Sequence, residues 1–145
     1  MAQIKRISPA EAQALMDGEG YVYLDVRSEP EFAAGHPKGA HNVPLMTAGP
    51  MGMQPNARFL EIVSALYPKD TKLVLGCRSG QRSMRAAEMM IGAGFSAIVE
   101  QRAGFEGSRN PFGAVAEPGW AAAGLGVETT TPGGSYAELL AKVGR

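Results

Sequence analysis

Apolar positions along this chain fall into two kinds of run, and the two kinds alternate. Tyr21 to Val26, Leu73 to Gly76 and Ala97 to Val99 are short apolar runs of strand length, the pattern of strands buried on both faces. Ile4 to Ile7 reads as a further short strand. Between them apolar residues recur at helical spacing. Ser8-Pro9-Ala10-Glu11 predicts a helix start, with Ser at N-cap, Pro at N1 and Glu at N3. Ala12, Leu15 and Met16 form its apolar face, and Gly18 or Gly20 ends it. Ser28-Glu29-Pro30-Glu31 predicts a second, short helix. Gly35 to Gly39 reads as a turn, and Ala40 to Val43 as a brief strand stopped by Pro44.

Leu45 to Pro55, punctuated by Gly49, Pro50, Gly52 and Pro55, is expected to be a loop. Asn56 is expected to cap a helix carrying Phe59, Leu60, Ile62, Val63 and Leu66, and Ser83 to Ile91 is a further helix closed by Gly92 and Gly94. The glycine-rich segment from Ala103 to Gly126 predicts turns with short helical pieces, one of them Glu117 to Ala123. Thr129 to Gly134 reads as a linker, after which Ser135 caps a final helix with Leu139, Leu140 and Val143. Strand–helix alternation implies an α/β fold with a parallel sheet and helices on both faces. The expected division is one domain over residues 1–128, then a linker and helix over 129–145 packed on the domain or on a neighbour.

Composition narrows the function classes. A chain of 145 residues with 45% hydrophobic and 19% charged residues fits a single globular unit. The formal net charge is zero, which gives no electrostatic case for nucleic acid or an anionic membrane. No stretch reaches the ~20 apolar residues of a membrane span. Met1 to Ile7 has no apolar signal core, so the expected location is the cytoplasm. One cysteine excludes an internal disulfide and a multi-cysteine zinc site. His36 and His41 lie in a turn without other close ligands, so no metal and no cofactor is expected.

The chemistry concentrates between Lys72 and Ser83. An apolar run ends at the single cysteine, Cys77, and a short loop with an arginine at each end leads into a helix. Backbone N–H groups of such a loop and the positive end of the next helix converge on an anion. A free thiol titrates near ~8.5, and cationic surroundings of this kind bring it to roughly 3.5–7.5. Cys77 is therefore a candidate nucleophile, with Gly80 letting the loop turn.

Cys77-Arg78-Ser79-Gly80-Gln81-Arg82 resembles the six-residue active-site loop of single-domain rhodaneses, which are sulfurtransferases. A second block, Leu24-Asp25-Val26-Arg27 followed by Glu31, Gly35-His36, Gly39-Ala40, Asn42 and Pro44, resembles that family's N-terminal signature. Gly104-Phe105-Glu106 and Pro118-Gly119-Trp120 extend the likeness over nearly the whole chain. Ala103 departs from it, standing where many relatives carry the first glycine of a pair.

The resemblance implies a five-stranded, mostly parallel sheet flanked by helices. It also implies transfer of sulfane sulfur from thiosulfate or a similar donor to cyanide or a thiol, through a Cys77 persulfide. Arg78, Ser79, Gly80, Gln81 and Arg82 would then bind the substrate, with Arg78 at the mouth and Arg82 either binding or bracing. Asp25 is expected to pair with Arg82 or Arg27. Arg27 is expected to bind substrate or to pair with Glu31, the bracing role being preferred. The alternative is a sulfur carrier that delivers persulfide sulfur to a partner protein. Phosphatases of the His-Cys type place five residues between cysteine and arginine. Here four separate Cys77 from Arg82, and Gly76 stands in place of the histidine.

Overall fold

The computed structural model describes residues 4–50, 52–78 and 81–143. Lys5–Ile7 form β1, Pro9–Glu19 α1, Val22–Asp25 β2, Glu29–Ala34 α2, His36–Pro37 β3, His41–Asn42 β4, Met46–Gly49 β5 and Gly52–Pro55 β6. Phe59–Leu66 form α3, Leu73–Gly76 β7, Gln81–Gly92 α4, Ile98–Gln101 β8, Ser108–Arg109 β9, Val115–Glu117 β10, Val127–Glu128 β11 and Tyr136–Val143 α5.

The helix starts predicted at Ser8 and Ser28 form by the predicted mechanism. Ser8 accepts from the Glu11 N–H while the Glu11 carboxylate accepts from the Ser8 N–H, and Ser28 with Glu31 repeats the box. Ser135 and Glu138 make the same reciprocal pair ahead of α5. Gly20 ends α1 in the left-handed region at φ 74°.

Five strands form a parallel sheet in the order β1-β8-β7-β2-β4. The central strand β7 is buried along its whole length, and its side chains divide between the two faces. Leu73 and Leu75 join Leu24 and Val26 against Ile62 and Val63 of α3 and Ala86, Ala87 and Met90 of α4. Val74 joins Ile7, Tyr23 and Val99 against Ala12 of α1, Phe32 of α2 and Trp120. Trp120 meets Tyr23 edge-on at 5.2 Å, and its Nε1–H donates to the Gly126 carbonyl at 2.7 Å. On the opposite face Leu139 of α5 is buried in the same cluster as Leu24 and Ile62.

Four segments depart from the sequence expectation, the first being the turn expected at Gly35 to Gly39, which holds β3 paired antiparallel with β11. Met46–Gly49 and Gly52–Pro55 pair as antiparallel strands, β5 and β6, with Gly49 opposite Gly52 and Gly52 at φ 98°. The glycines and prolines here mark a turn and strand ends rather than a loop throughout, and the exposure of β6 removes the apolar alternation that reveals a half-buried strand. Glu117 to Ala123 is not a helix. Val115–Glu117 pair with Ser108–Arg109, and turns follow. A Cβ on Gly119 would collide with the Phe105 carbonyl and the Gly107 amide, so backbone-to-backbone packing at Pro118-Gly119 decides the path. Finally, α3 has Arg58 at its N-cap, and the Asn56 side chain instead accepts from the Arg58 N–H at 3.1 Å.

Candidate active site

Cys77 follows the last residue of β7, at the carboxyl end of the central strand, where parallel sheets place their sites. It is only 2% exposed. Gly76 precedes it because a Cβ there would overlap the Tyr23 hydroxyl. The backbone beyond is clamped from the side: the Phe105 N–H donates to the Cys77 carbonyl at 2.7 Å, and the Glu106 N–H to the Arg78 carbonyl at 2.9 Å. That close approach needs Gly104, which sits at φ 70° and whose Cβ would come 2.7 Å from the Cys77 carbonyl oxygen. Ala103 is fully buried beside it without disturbing the clamp.

Beneath the loop lies a buried ion pair. Asp25 ends β2, and its carboxylate accepts from Arg27 Nε at 3.0 and 3.1 Å, from Arg27 Nη2 at 2.7 Å and from the Arg27 backbone N–H at 3.0 Å. Arg27 Nη2 also donates to the Gly35 carbonyl at 2.6 Å, and the guanidinium stacks 4.4 Å over the Phe105 ring. The expected pairing of Arg27 with Glu31 is thereby corrected. Glu31 is taken by Arg82, and Arg27 Nε and Nη2 are engaged by Asp25 and the Gly35 carbonyl. Burial pulls the Arg27 guanidinium down, and its hydrogen bonds and attraction to Asp25 more than restore it.

Arg82, in the first turn of α4, grips Glu31 of α2 with two parallel hydrogen bonds at 2.8 and 3.0 Å. Arg78 is different. Its side chain is 60% exposed and meets Glu106 at 3.0 Å. Gln81 opens α4 at the surface, while Ser79 and Gly80 lie outside the described residues. The Cys77 sulfur lies 3.4 Å from the Ser83 hydroxyl, which donates in turn to Glu100 at the end of β8. The other oxygen of Glu100 accepts from Arg6 Nε at 2.7 Å. Among the described residues no group of three His, Cys, Asp or Glu side chains is placed to hold a metal ion.

This constellation has relatives. Residues 8–110 match the family model described as the rhodanese-like domain. The chain belongs to the rhodanese-like domain family. It is 33% identical over 106 residues to the thiosulfate sulfurtransferase GlpE of Pseudomonas fluorescens, a match covering 73% of this chain and 85% of that protein. It is 42% identical over 86 residues to Thiosulfate sulfurtransferase 16, chloroplastic, of Arabidopsis thaliana, covering 59% of this chain and 72% of that one. Against the Arabidopsis Rhodanese-like domain-containing protein 15 it is 44% identical but spans 47% of that protein's length. Among solved structures, Rv0390 from M. tuberculosis superposes with a TM-score of 0.72 at 30% identity, covering 89% of this chain and 100% of that one.

In this rhodanese-like domain the sequence-predicted residues sort into a floor and a mouth. Asp25 pairs with Arg27 and Arg82 with Glu31, while Arg78 faces solvent beside Glu106. Sequence reasoning assigned no role to four residues that shape the site. Asn42 donates to the carbonyls of Asp25 and Arg27 at 2.9 and 2.8 Å, tying the strand end to its loop. Tyr23 explains Gly76. Ser83 and Glu100 are connected to the sulfur itself. The signal for Glu100 was one charge directly after an apolar strand run, and that for Ser83 was a hydroxyl six residues beyond the cysteine. His36 stacks on Phe32 at 3.6 Å and bonds the Phe32 carbonyl and the Thr131 hydroxyl, each at 2.8 Å. His41 bonds Tyr67 at 2.7 Å.

Proposed function

We propose that this chain is a sulfurtransferase that carries sulfane sulfur on Cys77. The Cys77 thiolate attacks the outer sulfur of thiosulfate. The S–S bond of the donor breaks, sulfite leaves with the bonding pair, and an anionic persulfide remains on Cys77. Cyanide or a small thiol then attacks the outer sulfur, and Cys77 departs as the thiolate. Backbone N–H groups of residues 78–82 hold the outer sulfur in the manner of an oxyanion hole, and Arg78 meets the incoming dianion. Arg82 and Arg27 act as braces.

The single observation that carries this reading is the position of Cys77. It sits at the carboxyl end of the central strand, at the base of a loop whose backbone is clamped by Phe105 and Glu106. Membership of the rhodanese-like family and relatives named as thiosulfate sulfurtransferases support it. The cytoplasm, with small donors and acceptors and no nucleic acid or membrane partner, completes the proposal.

The test is the intact mass of the full chain after incubation with thiosulfate, beside Cys77→Ser. The expected result is a gain of about 32 Da on the native chain alone, removed by cyanide. No gain with thiosulfate, mercaptopyruvate or a polysulfide overturns the proposal.

A further inference from the structure

We propose that Ser83 and Glu100 form a proton relay that takes the proton of Cys77 as its thiolate forms. The proposal deepens the Cys77 reading and rests on it. Ser83 sits in the first turn of α4 and faces the sheet. It is fully buried, as is Glu100, and both belong to the dry interior behind the loop.

A hydroxyl has one hydrogen to give. Ser83 Oγ lies within reach of both the Cys77 sulfur, at 3.4 Å, and Glu100, so with the Ser83 hydrogen given to Glu100 the contact with sulfur can be made only with the thiol as donor. The relay as proposed runs from S–H to O–H to carboxylate. Ionisation of Cys77 places a second anion close to Glu100 with a single hydroxyl between them. Two anions in a dry site are costly, and one shared proton removes the cost. The S–H bond breaks as the hydrogen passes to Ser83 Oγ, and the former Ser83 hydrogen passes to Glu100 Oε2. Ser83 regains its hydroxyl, the carboxyl becomes neutral, and no electrons leave the chain of three groups. The persulfide formed later carries the same single charge as the thiolate, so the neutral Glu100 serves both stages of the sulfur cycle.

The remaining charges around the site are committed elsewhere. Arg6, from β1, bonds the far oxygen of Glu100 and fixes the orientation of the carboxylate. Asp25 from β2 is held by Arg27, and Glu31 from α2 by Arg82. Tyr23 from β2 is pushed up by burial and stays neutral. Ser83 touches the reacting atom, and Glu100 is a positioning residue acting through it.

The experiment follows the rate of Cys77 alkylation by iodoacetamide across about pH 5 to 9 in the full chain. The variants are Ser83→Ala, Ser83→Thr and Glu100→Gln, each checked for folding by circular dichroism. A coupled pair that keeps one proton gives the wild type a shallow profile, changing by less than about threefold over two pH units on the acid side. Ser83→Ala and Glu100→Gln each leave a lone thiol, whose rate falls about tenfold per pH unit below its midpoint. Ser83→Thr keeps the hydroxyl and the shallow profile. If Glu100→Gln fails to fold, Ser83→Ala alone decides. Superimposed profiles for the wild type and Ser83→Ala overturn the relay, as does a wild-type profile of lone-thiol steepness. Alkylation needs no sulfur donor. Sulfur loading with superimposed profiles therefore sinks the relay alone, and a shallow profile without loading sinks the sulfurtransferase reading alone.

Discussion

Arg27 and Arg78 carry the same charge, and each faces one carboxylate, but they stand at opposite ends of the site. Arg27 lies in the floor, 3% exposed, with Nε and Nη2 bonded to Asp25 and the Gly35 carbonyl and its face on Phe105. Arg78 lies at the mouth, 60% exposed, with Glu106 beside it in water. In the floor each charge is committed to a fixed partner, because an unpaired charge there has no water to fall back on. At the mouth, water competes with Glu106, and the pair yields readily to an incoming anion. A site that must hold one geometry and still admit a ligand uses both kinds of pair.

The comparison breaks most sharply at Asp25. Asp25→Ala leaves Arg27 buried without its carboxylate and is expected to cost about 3–5 kcal/mol of stability. Urea unfolding measures it, and a loss below about 1 kcal/mol would mean that water reaches the floor.

An intermediate effect is expected at Glu31, half-buried between floor and mouth. Burial pushes its carboxyl up, but hydrogen bonds from Arg82 and Ser28 outweigh this and bring it down to about 2. Its folded value therefore lies below its ordinary one, so the pair stabilises the fold at neutral pH and loses that contribution as pH falls from about 4.5 towards 2. Arg82→Ala should cost about 1 kcal/mol at pH 7, because the pair is partly screened. The gap between variant and wild type should close over that acid window. Thermal unfolding at stepped pH checks it, and a constant gap would assign the loss to packing.

The smallest stability effect belongs to Arg78. Arg78→Ala should leave stability within about 0.5 kcal/mol of wild type. Its effect should fall on substrate capture instead, raising the KM for thiosulfate about tenfold, as expected for one charge-assisted contact. Steady-state kinetics beside a urea titration separate the two. A large stability loss with unchanged KM would place Arg78 in the floor.

Local signals in the sequence translated into local structure. The boxes at Ser8, Ser28 and Ser135 are satisfied within four residues of chain, so nothing distant can override them. The strand at Leu73–Gly76 matches its prediction residue for residue because burial on both faces requires an unbroken apolar run. The hairpin of β5 and β6 was hidden because Gly52–Pro55 is exposed throughout, so no inward-facing apolar alternation marks that strand. The expected helix at Glu117–Ala123 gave way to close backbone contacts of Gly119 with residues 105 to 107.

The candidate site divides along the same line. A single cysteine, its flanking arginines and the block around Asp25 were readable in order along the chain, because they are continuous motifs. The partner of Asp25 was not, since two arginines qualified by charge and only the fold decided which one lies within reach. Glu100 appeared in the sequence as a lone charge at the end of a strand. Its contact with Ser83, seventeen residues earlier, exists because β8 lies beside β7 and α4 returns over both. Sequence alone determined the candidate nucleophile, the strand that carries it and the capped helix starts at Ser8, Ser28 and Ser135, all of which depend on short-range chemistry. Tertiary structure alone decided which charges meet and what touches the sulfur, because those contacts join residues that only the packed sheet brings together.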